Sequence, residues 1–130
     1  MPRLTGTFDL TGWEPTTVDD TPGAQLGRAR ITKAFHGDLE GGTSLTEILT
    51  FANAAETLRT YVGLEKFTGT IEGRTGSFVL QHDARAEGDD TSLTWHIVPG
   101  SGADGLEGIG GEGTIDVSDG THRFTLDYGF

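Results

Sequence analysis

A two-residue alternation that recurs along almost the whole chain limits what this sequence can fold into. Leu4, Gly6, Phe8 and Leu10 alternate with Thr5, Thr7, Asp9 and Thr11, the period of a strand whose successive side chains point to opposite faces. Similar runs follow at about 26–36, 42–51, 57–69, 75–86, 91–99, 111–117 and 122–128. Turn signals separate them: Asp19-Asp20-Thr21-Pro22-Gly23, Asp38-Leu39-Glu40-Gly41-Gly42, Glu72-Gly73-Arg74, Glu87-Gly88-Asp89-Asp90 and Ser118-Asp119-Gly120. Asp119-Gly120 is the strongest hairpin cue among them. A helix over residues 45–59 is disfavoured, because no cap precedes it and Thr43, Thr46, Ile48, Thr50 and Phe51 suit a strand. Eight evenly spaced strands with short connections predict an all-β fold, an eight-stranded antiparallel barrel closed on itself rather than a sandwich. Closure removes the exposed edges of a Thr-rich sheet. With 130 residues and no linker or repeat, residues 1–130 read as a single barrel domain. The longest irregular stretch, residues 99–113, reads either as a mobile rim loop over the barrel mouth or as a plain long connection.

Charge and residue usage exclude several functions. Acidic residues outnumber basic ones 20 to 9, for a formal net charge of −11. That sign disfavours nucleic acid and anionic membrane surfaces as partners. No run approaches the roughly 18 to 20 apolar residues of a membrane span. The stretch from Met1 to Trp13 lacks the apolar core of a signal peptide, so the expected location is cytoplasmic. Cys is absent, which removes disulfides, thiolate metal sites and cysteine nucleophiles. His36, His82, His96 and His122 form no close ligand pair, so no metal is expected. The glycine run from Gly108 to Gly113 is followed by neither a helix nor a Lys-Ser/Thr pair, so no phosphate-bearing cofactor is expected. Gly-x-Ser-x-Gly does not occur, which argues against a hydrolase nucleophile elbow. Asp19-Asp20 and Asp89-Asp90 read as solvated turn charges.

Register places polar residues inside the barrel. If Gly73-Arg74 forms a two-residue hairpin loop, Phe67 faces Leu80, Glu65 faces His82, Gly63 faces Ala84 and Tyr61 faces Ala86. If Gly88-Asp89 turns the next hairpin, Leu80 meets Ile97 and His82 meets Trp95. Both turns give one apolar face with Phe67, Phe78, Leu80, Leu93, Trp95 and Ile97. The opposite face carries Lys66, Gln81, Asp83, Arg85, Thr94 and His96. A row Glu65–His82–Trp95 then crosses three strands on the apolar side, with Glu65 and His82 within hydrogen-bond reach. In the preceding strand, Leu45, Leu49 and Phe51 put Glu47 on the same face, near Tyr61. A buried carboxylate must be paired or protonated. Glu65 and His82 are therefore the candidate acid/base pair or polar anchors, or else a core pair that satisfies itself. Glu47, Tyr61, Phe67, Leu80, Trp95 and Ile97 are the candidate ligand-binding wall.

Several strings also resemble a known family. They are Thr5-Gly-Thr-Phe8, Lys33-Ala-Phe-His-Gly-Asp-Leu-Glu-Gly41, Tyr61-Val-Gly-Leu-Glu-Lys-Phe-Thr-Gly-Thr70, Gly73-Arg-Thr-Gly-Ser-Phe-Val-Leu-Gln-His82, Val98-Pro-Gly-Ser-Gly102 and Leu126-Asp-Tyr-Gly. Nearly the whole chain is similar to the bacterial domain-of-unknown-function family numbered three-two-two-four, whose members resemble allene oxide cyclase-like barrels. That resemblance implies an eight-stranded, lipocalin-like or allene oxide cyclase-like barrel and no settled activity. Glu65, Gln81 and His82 match the family's pattern, and Trp95 is less typical of it.

Three functions follow as expectations. The first is a barrel that holds an apolar or amphipathic small molecule in its lumen. The second is a cofactor-free cyclase or isomerase that uses the same cavity, with Glu65 shuttling a proton and Tyr61 or Glu47 polarising the substrate. The third is a structural module filled by its own side chains. Outward-facing Val62, Leu64, Val79 and Val98 form a candidate contact stripe, and a homodimer is the expected assembly.

Overall fold

Every turn signal ends a strand. The computed structural model describes residues 2–130. Its elements are β1 (Arg3–Asp19), β2 (Gln25–Gly37), β3 (Thr43–Ala52), β4 (Leu58–Ile71), β5 (Arg74–Glu87), β6 (Asp90–Ile97), β7 (Ala103–Asp104), β8 (Gly110–Ser118) and β9 (Thr121–Gly129). Strands β1 to β6 pair in order, β6 pairs β8, β8 pairs β9, and β9 returns to β1. All pairings are antiparallel. The result is a closed eight-stranded antiparallel barrel with β7 as a short extra strand beside β5.

Turn chemistry sets the register. Asp119-Gly120 closes the β8–β9 hairpin with both residues at positive φ (51° and 74°), the backbone of a type I′ turn. Gly88-Asp89 closes β5–β6, giving the expected pairs Leu80–Ile97 and His82–Trp95. The β4–β5 loop is Glu72-Gly73, not Gly73-Arg74, because Ile71 pairs with Arg74. Glu72 takes the first left-handed position (φ 49°) and Gly73 the second (φ 81°). This moves the pairing by two residues, so Phe67 meets Phe78, Glu65 meets Leu80, Gly63 meets His82 and Tyr61 meets Ala84. A shift of two leaves each side chain on its expected face.

The phase of β3 is the reverse of the expectation. Ser44, Thr46 and Ile48 are buried, while Leu45 and Leu49 are exposed. Glu47 therefore points outward, where Arg30 Nε donates to its Oε1 at 2.8 Å. The leucines suggested the inner face, but the small hydroxyl residues occupy it beneath a buried polar cluster.

The two ends of the barrel differ. At the lower end Phe67 stacks obliquely on Phe78 (5.1 Å between centroids) and meets Phe35 edge-on (5.3 Å). Phe124 joins at 5.6 Å from Phe35. The connection after β6 folds beneath these rings and forms no rim loop: Leu106 and Ile109 are fully buried in the core, and Gly105 N–H donates to Thr75 O at 2.9 Å. At the upper end the ladders part. The β1–β9 ladder stops at Phe8–His122, and the β6–β8 ladder consists of Trp95–Gly113, His96–Glu112 and Ile97–Gly111. Above Phe8, β1 runs on to Asp19 paired with β2 alone. That free edge is broken by bulges at Leu10/Gly12 and Thr17/Asp19 and carries Pro15, features that blunt strand-to-strand association.

On the outer wall, Leu45, Leu49, Val62 and Leu64 are exposed, whereas Val79 and Val98 are half-buried. Leu49 and Val62 stand directly opposite each other across β3 and β4.

Candidate functional site

Four strands each send one polar group to a single carboxylate that a fifth carries at mid-height. Glu65 on β4 is wholly buried (0% exposed). His82 Nε2 on β5 lies 2.6 Å from its Oε1, and Trp95 Nε1 on β6 donates to the same oxygen at 3.3 Å. Ser44 Oγ on β3 donates to Oε2 at 2.5 Å. Lys33 Nζ on β2 is 3.3 Å from both oxygens and also lies 4.4 Å from the centre of the Phe8 ring. Gly113, opposite Trp95 on β8, leaves room for the indole: a methyl there would lie 2.9 Å from Trp95 Cε3.

The electrostatics of Glu65 follow from these neighbours. Burial pushes its carboxyl up, but the His82 hydrogen bond, the charges of Lys33 and His82, and the Ser44 hydroxyl outweigh that and bring it to about 2. Glu65 is thus ionised at neutral pH and acts as an acceptor. His82 meets this carboxylate through Nε2, so its Nδ1 points away from it. That Nδ1 is buried and has no partner in the protein.

One residue-pair higher along each strand, the lumen opens into a cup of about 1010 Å³. Tyr61, Ala84, Leu93 and Ile115 line it, each two positions above Gly63, His82, Trp95 and Gly113 on the same inner face. The Tyr61 ring lies 6.2 Å from the His82 ring. Burial raises the Tyr61 phenol above its ordinary value, and the charge of Glu65 adds to this. Asp19, Asp20, Arg59 and Asp116 stand at the rim.

The structure brings Glu65, His82 and Trp95 together as the sequence predicts, with Glu65 diagonal to His82 rather than opposite. Tyr61 lines the cup. Glu47 does not, being on the outer wall. Phe67, Leu80 and Ile97 belong to the packed end (0%, 1% and 2% exposed), because their positions lie below the Glu65 cluster where aromatic rings fill the lumen. Gln81 faces solvent. Sequence reasoning missed Lys33 and Ser44. Lys33 had a signal, since it falls in phase with Ile31 and Phe35 along β2. Ser44 had none, because the β3 leucines concealed its face.

A closed eight-stranded antiparallel barrel, packed at one end, open at the other and divided by a buried carboxylate–imidazole–ammonium cluster, is the class that this fold and site define. Within it, the chain belongs to the family described as Protein of unknown function (DUF3224), whose model matches residues 4–128. It is similar to a protein of unknown function from that family in Shewanella oneidensis MR-1, solved by crystallography. The two are 34% identical with a TM-score of 0.85, over 100% of this chain and 98% of the other. No protein with a curated description matches.

Proposed function

We propose that the barrel binds an apolar or amphipathic small molecule in its cup. One observation carries this reading: a cavity of about 1010 Å³ with Tyr61, Leu93 and Ile115 in its wall, at the size of small-molecule sites. A purely structural barrel would continue to the mouth the aromatic packing of the lower end. The test is native mass spectrometry of freshly purified protein, followed by denaturation of the same sample. The expected result is a small molecule released on denaturation, and a reduced amount of it in Ala84→Trp, which intrudes on the cup. If wild-type protein carries no adduct and takes up no neutral apolar dye, the binding reading fails.

The Tyr61 phenol in the cup wall, its ring 6.2 Å from the His82 ring, favours a second reading, a cofactor-free cyclase or isomerase. In that scheme Tyr61 polarises the substrate from the cup wall, while the Glu65–His82 pair beneath it supplies the acid/base function. Glu65→Gln separates the two readings. A binder keeps its ligand affinity within about threefold, whereas an acid/base enzyme loses about 10² in turnover.

A further inference from the structure

The outer wall of β3 and β4 reverses the usual polarity of a strand. β3 turns Ser44 and Thr46 inward and Leu45 and Leu49 outward, and β4 adds Val62 and Leu64 to the same outer face. These four side chains are 43% to 53% exposed. Scattered apolar residues on a surface are ordinary, but these adjoin one another. Leu49 stands opposite Val62, Leu64 lies one row lower on β4, and Leu45 lies two rows lower on β3. A contiguous apolar patch with charged neighbours marks a surface that another molecule covers.

The row through Leu49 and Val62 crosses four strands and changes charge from end to end. Arg28 on β2 stands opposite Leu49, and Asp83 on β5 stands opposite Val62. The order across the wall is therefore cation, two apolar side chains, anion. Arg28 and Asp83 are three strand spacings apart, about 14 Å. Among the described residues, neither has an ion pair within its own chain.

We propose that this wall binds the same wall of a second copy of the chain, about a two-fold axis that runs parallel to the strands between β3 and β4. Such an axis exchanges left and right across the row. Arg28 of each copy then meets Asp83 of the other, and Leu49 of each packs on Val62 of the other at the centre. The same rotation brings Lys66 of the second copy over β3, one row below Glu47. Opposed sheets with nearly aligned strands pack well, and a two-fold interface uses one self-complementary patch. A two-fold axis laid along the row itself would instead set Arg28 against Arg28 and Asp83 against Asp83. A lipid surface would have to take up the carboxylates of Glu47 and Asp83 along with the leucines. This interface stands apart from the cup, since Tyr61 faces the lumen and the next residue, Val62, faces outward.

Sedimentation tests the inference. At about 100 μM, where even a weak association shows, the wild-type chain is expected at twice its mass of 13.8 kDa. Leu49→Lys places an ammonium at the centre and should weaken the dimer at least about 10²-fold. Arg28→Asp and Asp83→Arg, each alone, set like charges together at both ends, and each should weaken it about tenfold. Both reversals in one chain restore the pairing, and affinity should return to within about threefold of wild type. No contact within one chain can supply that rescue, because the two sites are too far apart. All three positions are exposed, so far-UV circular dichroism should not change. The double reversal adds no net charge, and it carries the test should Leu49→Lys fail to fold. A monomeric wild type, a dimer left intact by a folded Leu49→Lys, or a double reversal no tighter than the singles overturns the inference.

Discussion

The lower half of the barrel and the upper half are built from the same strands, yet they solve opposite problems. Below Glu65, four phenylalanines interlock and Leu106 and Ile109 close the base. Above it, the side chains shrink or withdraw to the wall, two ladders end, and a cup opens. Local strand chemistry does not explain the contrast, because the alternation is equally regular in both halves. What differs is where each ladder stops and what size of side chain faces inward. Close packing is concentrated in one half, and the other encloses a cavity.

The boundary itself should be the most sensitive point. Glu65→Leu strands Lys33 in the interior without its counter-charge and His82 without its hydrogen-bond partner, and we expect a destabilisation of about 3–5 kcal/mol in urea unfolding. A loss below about 1 kcal/mol would mean that the cluster does not join the two halves. Acid titration probes the same group without mutation. The Glu65 carboxyl is lowered from 4.5 to about 2 on folding, so ionised Glu65 stabilises the native state by about 3 kcal/mol. That contribution is complete above pH 4.5 and is lost as pH falls through about 2. Stability measured between these limits should fall with acid, and in Glu65→Gln this part of the slope should vanish.

A matched pair of truncations compares the two ends directly. Leu106→Ala removes a fully buried side chain at the packed base and should cost about 2–5 kcal/mol. Ile115→Ala, in the half-open wall of the cup, should cost about 1 kcal/mol or less. Equal losses would erase the distinction between the halves. The smallest expected change lies in the β4–β5 turn, where Glu72 holds a left-handed backbone that Asn tolerates better. Glu72→Asn should raise stability by about 0.5 kcal/mol, read as a higher midpoint in urea.

Strand positions and hairpins were legible because their signals are local. Asp119-Gly120 and Gly88-Asp89 name their turns, and the alternation around them fixes the faces. The β4–β5 loop was misplaced by one residue without consequence for the faces, since sliding a two-residue loop by one moves partners by two. The inner face of β3 was not legible. Hydropathy assumes that the core is greasy, and at Ser44 the core is a carboxylate that needs a donor. The same assumption put Phe67, Leu80 and Ile97 in a binding wall. All three are truly inside, but no pattern of alternation tells the packed end of a barrel from the open one. Lys33 shows the converse, an in-phase cation whose partner lies 32 residues away and becomes apparent once the sheet is rolled up.

The packed base has a consequence for how such a protein can change over generations. Because Phe35, Phe67, Phe78 and Phe124 hold the fold from below, the wall around Tyr61, Leu93 and Ile115 carries less of that duty, Leu93 and Ile115 packing on the core from its edge and only partly buried. Variation there can re-line the cup at a smaller cost to folding than any change at the base.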